Sequence, residues 1–164
     1  MEYYHFFTDG AATMRNINGQ YVREAGGWAW ALVQNNEIIK WNNGGSSKTT
    51  NNEQELTAIM EALSYACKNT TQGDIIRIYS DSAYCINIFT KWVNGWKENG
   101  WTRGKKHEPI ENLEIIKTIY EMVFSLENSF IGVDWIKVKG HSDNEFNNFV
   151  DRKAVEAKES QMKV

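Results

Sequence analysis

The sequence predicts an α/β fold, an open mixed sheet covered by helices, and three observations carry this. Tyr3-Tyr4-His5-Phe6-Phe7-Thr8 sets bulky residues on both alternating faces of one strand, so both faces must be covered. Two further strand-like runs, residues 26–33 and 38–41, follow with no helix between them. They are separated by Gln34-Asn35-Asn36-Glu37, which supplies hairpin turn chemistry and predicts an antiparallel meander. Residues 75–79 are β-branched and come after a long helical stretch, as a parallel crossover strand requires.

The elements follow in order. The first strand ends at Asp9-Gly10, a turn signal, and a polar loop is expected from Ala11 to about Arg23. After the third strand, residues 42–47 are rich in Asn, Gly and Ser and read as a loop. A helix follows, for which Thr50 with Glu53, or Asn51 with Gln54, offers capping; its first residue stays open. Leu56, Ile59, Met60, Leu63 and Cys67 make its apolar stripe, and Gly73-Asp74 breaks it. Short helical pieces are expected over residues 83–99, then a loop to Glu108. Ile110, Leu113, Ile116, Tyr120 and Val123 step by three and four, an amphipathic helix. Residues 133–138 form the fifth strand. The last helix spans about 143–158 and buries Phe146, Phe149, Val150, Ala154 and Ala157.

With 164 residues, 41% hydrophobic and 24% charged, the chain is expected to form one globular domain over residues 1–164. Cys67 and Cys85 have neither disulfide density nor metal-ligand spacing, which predicts reduced thiols packed in the core of a cytoplasmic protein. No apolar run approaches membrane-spanning length, and no membrane partner is expected. The net charge of −3 argues against a surface that attracts nucleic acid everywhere. Its distribution is uneven: Lys91, Lys97, Arg103, Lys105 and Lys106 face only Glu98, in a segment that also holds Trp92, Trp96 and Trp101. Cations on phosphates with rings on sugars or bases is the chemistry that pattern suits.

Several acids sit at element boundaries. Asp9 ends the first strand and Asp81 the fourth, so neighbouring strands would set the two side by side, where open sheets place ligands. Glu53 and Glu55 flank the first helix stripe on opposite sides, and periodicity does not choose between them; acids also favour a helix N-terminus for its dipole alone. Asn147 and Asp151 share a face of the last helix. Burying paired carboxylates without a cation is costly, so their convergence would imply a metal.

Phe7-Thr8-Asp9-Gly10, Thr49-Thr50-Asn51-Asn52-Glu53-Gln54-Glu55-Leu56, Tyr79-Ser80-Asp81-Ser82 and Val138-Lys139-Gly140-His141, with Asp151 ten residues on, together resemble type 1 ribonuclease H. The resemblance covers nearly the whole chain. It implies a ribonuclease H-like fold: a five-stranded mixed sheet, three antiparallel then two parallel strands, with helices on both faces. It selects Glu55, the acid that precedes the leucine. It implies that Asp9, Glu55, Asp81 and Asp151 hold two divalent ions, Mg²⁺ by their oxygen donors, with Mn²⁺ as the alternative. The implied reaction is endonucleolytic hydrolysis of the RNA strand of an RNA·DNA hybrid, leaving 5′-phosphate and 3′-hydroxyl ends. Two ions stabilise the attacking water and the leaving oxygen. His141 is implied as a catalytic group that assists proton transfer or product departure without binding metal. Asn51 and Asn52 match minor-groove contacts, where the 2′-hydroxyl distinguishes RNA from DNA. Thr50 matches a DNA-phosphate contact, and Trp92, Trp96, Lys97, Lys105 and Lys106 resemble the basic protrusion that grips the DNA strand.

Three departures bear on substrate preference. The segment after Asp9 is longer than in typical bacterial members, Ala83 stands where many have Gln, and Glu53 adds negative charge. The chain is expected to act as a monomer, without a separate hybrid-binding module and hence without long-range processivity. The rival readings are a silent nucleic-acid-binding domain, a sister nuclease acting on DNA, and a processed piece of a polymerase chain.

Overall fold

The computed structural model describes residues 1–140 and 143–162. Three long strands open the chain: β1 (Tyr3–Ile17), β2 (Gln20–Gln34) and β3 (Glu37–Thr49). After helix α1 (Asn51–Asn69) come β4 (Ile75–Ser80), α2 (Ala83–Asn87), a π turn (Ile88–Trp92), α3 (Val93–Glu98), α4 (Leu113–Asn128), β5 (Gly132–Lys137) and α5 (Glu145–Met162). The sheet order is β3-β2-β1-β4-β5, with β1–β2 and β2–β3 antiparallel and β1–β4 and β4–β5 parallel. This is the predicted arrangement.

Strand alternation divides the core. Phe6, Trp30, Leu32, Ile76 and Ile78 pack with Leu56, Ile59 and Leu63 of α1 and with Ile116 and Ile119 of α4. Phe7, Ala29, Ala31 and Val33 point to the other face, against Val150 and Ala154 of α5. Small side chains on β2 let that helix approach. A Cβ on Gly27 would lie 2.3 Å from the Ala154 carbonyl oxygen, so α5 rests directly on the strand backbone.

Several boundaries differ from the predicted ones. Residues 11–23 are not a loop but the outer part of a β-hairpin, paired as far as Ile17 with Gln20. Asn18 and Gly19 take left-handed conformations (φ 51° and 83°), closing a two-residue turn whose twist suits the strands. Asp9 therefore lies within β1 rather than at its end. What ends there is the parallel pairing, whose last matched pair is Thr8 with Ser80. Residues 42–46 likewise remain paired to β2 in unbroken register, with bulges on either side of them, at Ile39 and at Ser47-Lys48. Cys85 is buried as predicted, but Cys67 is exposed in the last turn of α1, one residue past the buried Ala66. Ile110 is buried ahead of α4, whereas the short helical pieces expected over residues 83–99 are found as α2, the π turn and α3, joined end to end. Phe146 and Phe149 are only half-buried at the edge of the α5 interface.

Candidate active site

Three elements converge where β1 and β4 part. Asp9 comes from β1, and Asp81 follows β4 directly. Glu55 comes from the second turn of α1, which crosses above Gly10. A Cβ on Gly10 would lie 2.4 Å from the Glu55 amide nitrogen, so glycine is required for α1 to bring its acid down to the strand. Thr50 caps the helix, its Oγ1 accepting the Glu53 amide at 3.1 Å, which settles the capping choice left open by the sequence. Ser82, not Asp81, caps α2, its Oγ accepting the Cys85 amide at 3.1 Å; Asp81 is thereby left to the acidic group.

Carboxylate oxygens of Asp9, Glu55 and Asp81 lie within 4.8 Å of one another. Asp9 and Glu55 are only 4% and 8% exposed, whereas Asp81 is half-buried. Asp9 Oδ1 accepts the Gly10 amide at 2.9 Å, but Glu55 Oε2 is buried with no hydrogen-bond partner among the described residues. Burial pushes Asp9 up to about 7, and the charges of Asp81 and Asp151 add to it. Glu55 is raised well above the carboxylate range, first by burial and then by the Asp9 charge. Asp81 is raised by burial and by Asp151, against the opposing influence of Lys137. Three oxygen donors that resist ionisation together fit a hard divalent cation, which would relieve all three at once.

Not every predicted site residue joins this group. Asp151 is exposed on α5, outside the three-acid cluster but near enough for its charge to raise Asp9 and Asp81. His141 lies outside the described residues. Asn51 and Asn52 are exposed at the start of α1, and Asn51 Oδ1 accepts the Ala12 amide of β1 at 2.6 Å. Glu53 is paired with Arg23 of β2, so its negative charge is locally offset.

The Trp and Lys segment forms a separate surface. Trp92, 40% exposed, lies against Trp96 with ring centroids 5.8 Å apart. Lys105 and Lys106 are exposed in a tight loop closed by reciprocal backbone hydrogen bonds between Arg103 and Glu108, at 2.8 and 2.9 Å. Lys97 is placed differently, its ammonium 5.3 Å from the Tyr120 ring centre. Trp101 packs edge-on against that same ring. Gly10 was read as a turn glycine but acts through the room it leaves for α1, and Arg23, which the sequence reading did not single out, acts through a partner thirty residues away.

The ribonuclease H family model matches residues 1–159. The chain belongs to the ribonuclease H family. It is 41% identical over 135 residues to a ribonuclease H of Caldanaerobacter subterraneus subsp. tengcongensis, covering 80% of this chain and 79% of that relative. It is 36% identical over 151 residues to a ribonuclease H of Acetivibrio thermocellus, covering 92% and 90%. Among solved structures, LC9-RNase H1, a type 1 ribonuclease H with the type 2 active-site motif, shares the fold at a TM-score of 0.73 and 22% identity, with 97% of this chain and 73% of that one covered. A foamy viral protease-reverse transcriptase, solved with an RNA/DNA hybrid, superposes at a TM-score of 0.75 and 18% identity, covering 96% of this chain and 20% of that one. The enzyme is a ribonuclease H, a metal-binding endonuclease that hydrolyses RNA in RNA/DNA hybrids, and the cluster of Asp9, Glu55 and Asp81 is consistent with a metal-dependent active site. Among the described residues, no helix is long and apolar enough to cross a membrane.

Proposed function

We propose that this ribonuclease H works with two divalent ions, Mg²⁺ with Mn²⁺ as the alternative, held by Asp9, Glu55, Asp81 and Asp151. The observation that carries this reading is the buried Glu55 Oε2, an acceptor with no hydrogen-bond partner among the described residues, facing two further carboxylates. A metal ligand is the partner such an atom lacks. The ions would supply charge stabilisation for the attacking water and the leaving oxygen of the phosphodiester.

The chain's own residues do the rest. Asp9, on the central strand and between the other acids, is best placed to serve both ions. It would hold them as a carboxylate, so ion binding would compete with its proton near neutral pH and affinity would rise with pH. Asp151, on the exposed side, completes the set. His141 assists proton transfer or product departure, and the products carry 5′-phosphate and 3′-hydroxyl ends. Asn51 and Asn52 line one groove and read the hybrid there, and Thr50 beside them meets a DNA phosphate; Trp92, Trp96, Lys105 and Lys106 hold the DNA strand, while Lys97, resting on the Tyr120 ring, adds least. The unit that acts is residues 1–164 as one domain, working as a monomer in the cytoplasm.

Cleavage of a hybrid labelled on its RNA strand, with Mg²⁺, with chelator and with Asp81→Asn, tests the reading. Internal cuts that need metal, disappear in the variant and leave 5′-phosphates are expected, with duplex DNA untouched. Intact RNA with folded protein still bound to the hybrid would instead make this a binding domain.

A further inference from the structure

The hairpin of β1 and β2 continues well past the active site. Beyond Thr8, β1 has no partner in β4, and β2 last meets β3 at Glu24 with Thr49. Residues 14–23 therefore form a two-stranded ribbon that pairs only with itself. Such ribbons are marginal alone. This one is tied down at its base, where the Ala12 amide donates to Asn51 Oδ1 and Arg23 pairs with Glu53. Both ties run to the first turn of α1, the turn that leads into Glu55.

The ribbon and α1 share an open groove of about 640 Å³, to whose lining the ribbon gives Met14, Tyr21 and Arg23 and the start of α1 gives Thr50, Asn51 and Asn52, with Glu111 and Asn112 beside them. Tyr21 is 70% exposed and makes no ring contact among the described residues. β-propensity accounts for a tyrosine in a ribbon but not for its facing a wall of carboxamides. The cations of the ribbon are already paired, Arg15 with Glu24 and Arg23 with Glu53, and Glu111 adds negative charge. With its arginines engaged, the ribbon side of the groove draws phosphate only weakly. It suits the neutral side of a nucleic acid, where carboxamides hydrogen-bond to base edges and hydroxyls while a ring packs on a sugar.

We propose that the β1–β2 ribbon is a second wall of the substrate groove and that Tyr21 is its contact, the ring packing on ribose and base edges in the minor groove of the hybrid. The inference rests on the hybrid reading and adds a specificity residue to it. It also assigns the longer segment after Asp9 a role: it extends the enzyme's footprint with arginines that are already paired. Asn51, held by the ribbon backbone through its oxygen, keeps its Nδ2 donors for the groove.

Anisotropy of a fluorescein-labelled RNA·DNA hybrid in chelator, where hydrolysis is silent, measures the contact, with KM and kcat in Mg²⁺ alongside. Tyr21→Val keeps strand propensity and removes the ring. It is expected to raise Kd and KM about 5- to 20-fold, within the range of ring stacking on nucleic acid, and to leave kcat and the thermal midpoint unchanged. Tyr21→Phe should stay within about twofold of the parent, and the slope of log Kd against log salt should not move, because no phosphate contact is lost. Unchanged Kd in Tyr21→Val, loss in Tyr21→Phe equal to that in Tyr21→Val, or a slope shallower by about one would each overturn the proposal. If the parent fails to cleave the hybrid, the hybrid reading falls, while the binding series still decides whether Tyr21 touches nucleic acid.

Discussion

The acidic site and the Trp–Lys protrusion are built on opposite plans. The acids come from a strand, a strand end and a helix turn, are packed against backbone, and in Asp9 and Glu55 are almost wholly buried. Lys105 and Lys106 stand open to solvent on a loop held by local hydrogen bonds of Asn99, Thr102 and the Arg103–Glu108 bridge, without packing into the core. Hydrolysis needs donors at fixed separations, and the fold accepts costly burial of like charges to supply them. Holding a polyanion needs charge within a Debye length, which a loop provides without fixed geometry. Changes at the first site should act on kcat and on pH behaviour, and changes at the second on KM and salt dependence.

The largest effect is expected from Asp9→Asn, which removes a charged donor from the centre of the cluster. Turnover should fall by at least about 10³-fold, measured at saturating Mg²⁺ and hybrid, with binding retained in chelator. A variant with near-normal kcat would show that the buried acids are not the reacting site. His141→Ala should only slow turnover; a loss equal to that of Asp9→Asn would give the two residues the same role.

Gly10→Ala tests whether the site depends on backbone contact. The added methyl would meet the Glu55 amide at 2.4 Å, so α1 must lift. A loss of about 2–3 kcal/mol in unfolding free energy is expected, with kcat reduced further than that instability explains. Activity that survives intact in the folded fraction would mean that Glu55 tolerates displacement.

The buried acids also predict how stability follows pH in the ion-free enzyme. Asp9 titrates at about 7 in the folded chain against its ordinary 3.8, so the folded state holds more protons between those values. Its stabilising contribution is full below about pH 4 and is lost as pH rises through 7, and Glu55 acts with the same sign. Thermal midpoints in chelator should therefore fall between pH 5 and 8. Saturating Mg²⁺ should flatten the fall, and so should Asp9→Asn. A profile that is steep with and without the ion would locate the titration elsewhere.

Smaller and of another kind is the expected effect of replacing Lys105 and Lys106 together by alanine. KM should rise about three- to tenfold at low salt, the slope of log Kd against log salt should become shallower by about 2, and kcat should hold. Lys97→Met should change affinity least, within about twofold, because that ammonium rests on the Tyr120 ring. A Lys97 effect as large as that of the pair would place it among the phosphate contacts after all.

Much of this enzyme was legible in its sequence. Period-two and period-three-to-four patterns set the elements, and the crossover after a long helix set which strands run parallel, because burial dictates periodicity and chain length dictates connection. The types and order of the acids pointed to a metal because burying several carboxylates together is costly without a cation. The choice between Glu53 and Glu55 needed the resemblance, since both flank one stripe, and the fold supplies its physical reason: Glu55 lies over Gly10, while Glu53 turns outward to Arg23. The Asn18-Gly19 turn was present in the letters, but the polar residues around it masked a ribbon held by pairing rather than by burial. Which acids meet, which cations are already paired and which aromatic ring faces the groove depend on contacts between residues far apart in the chain. Only the tertiary structure decided these, because distance and desolvation belong to the folded molecule.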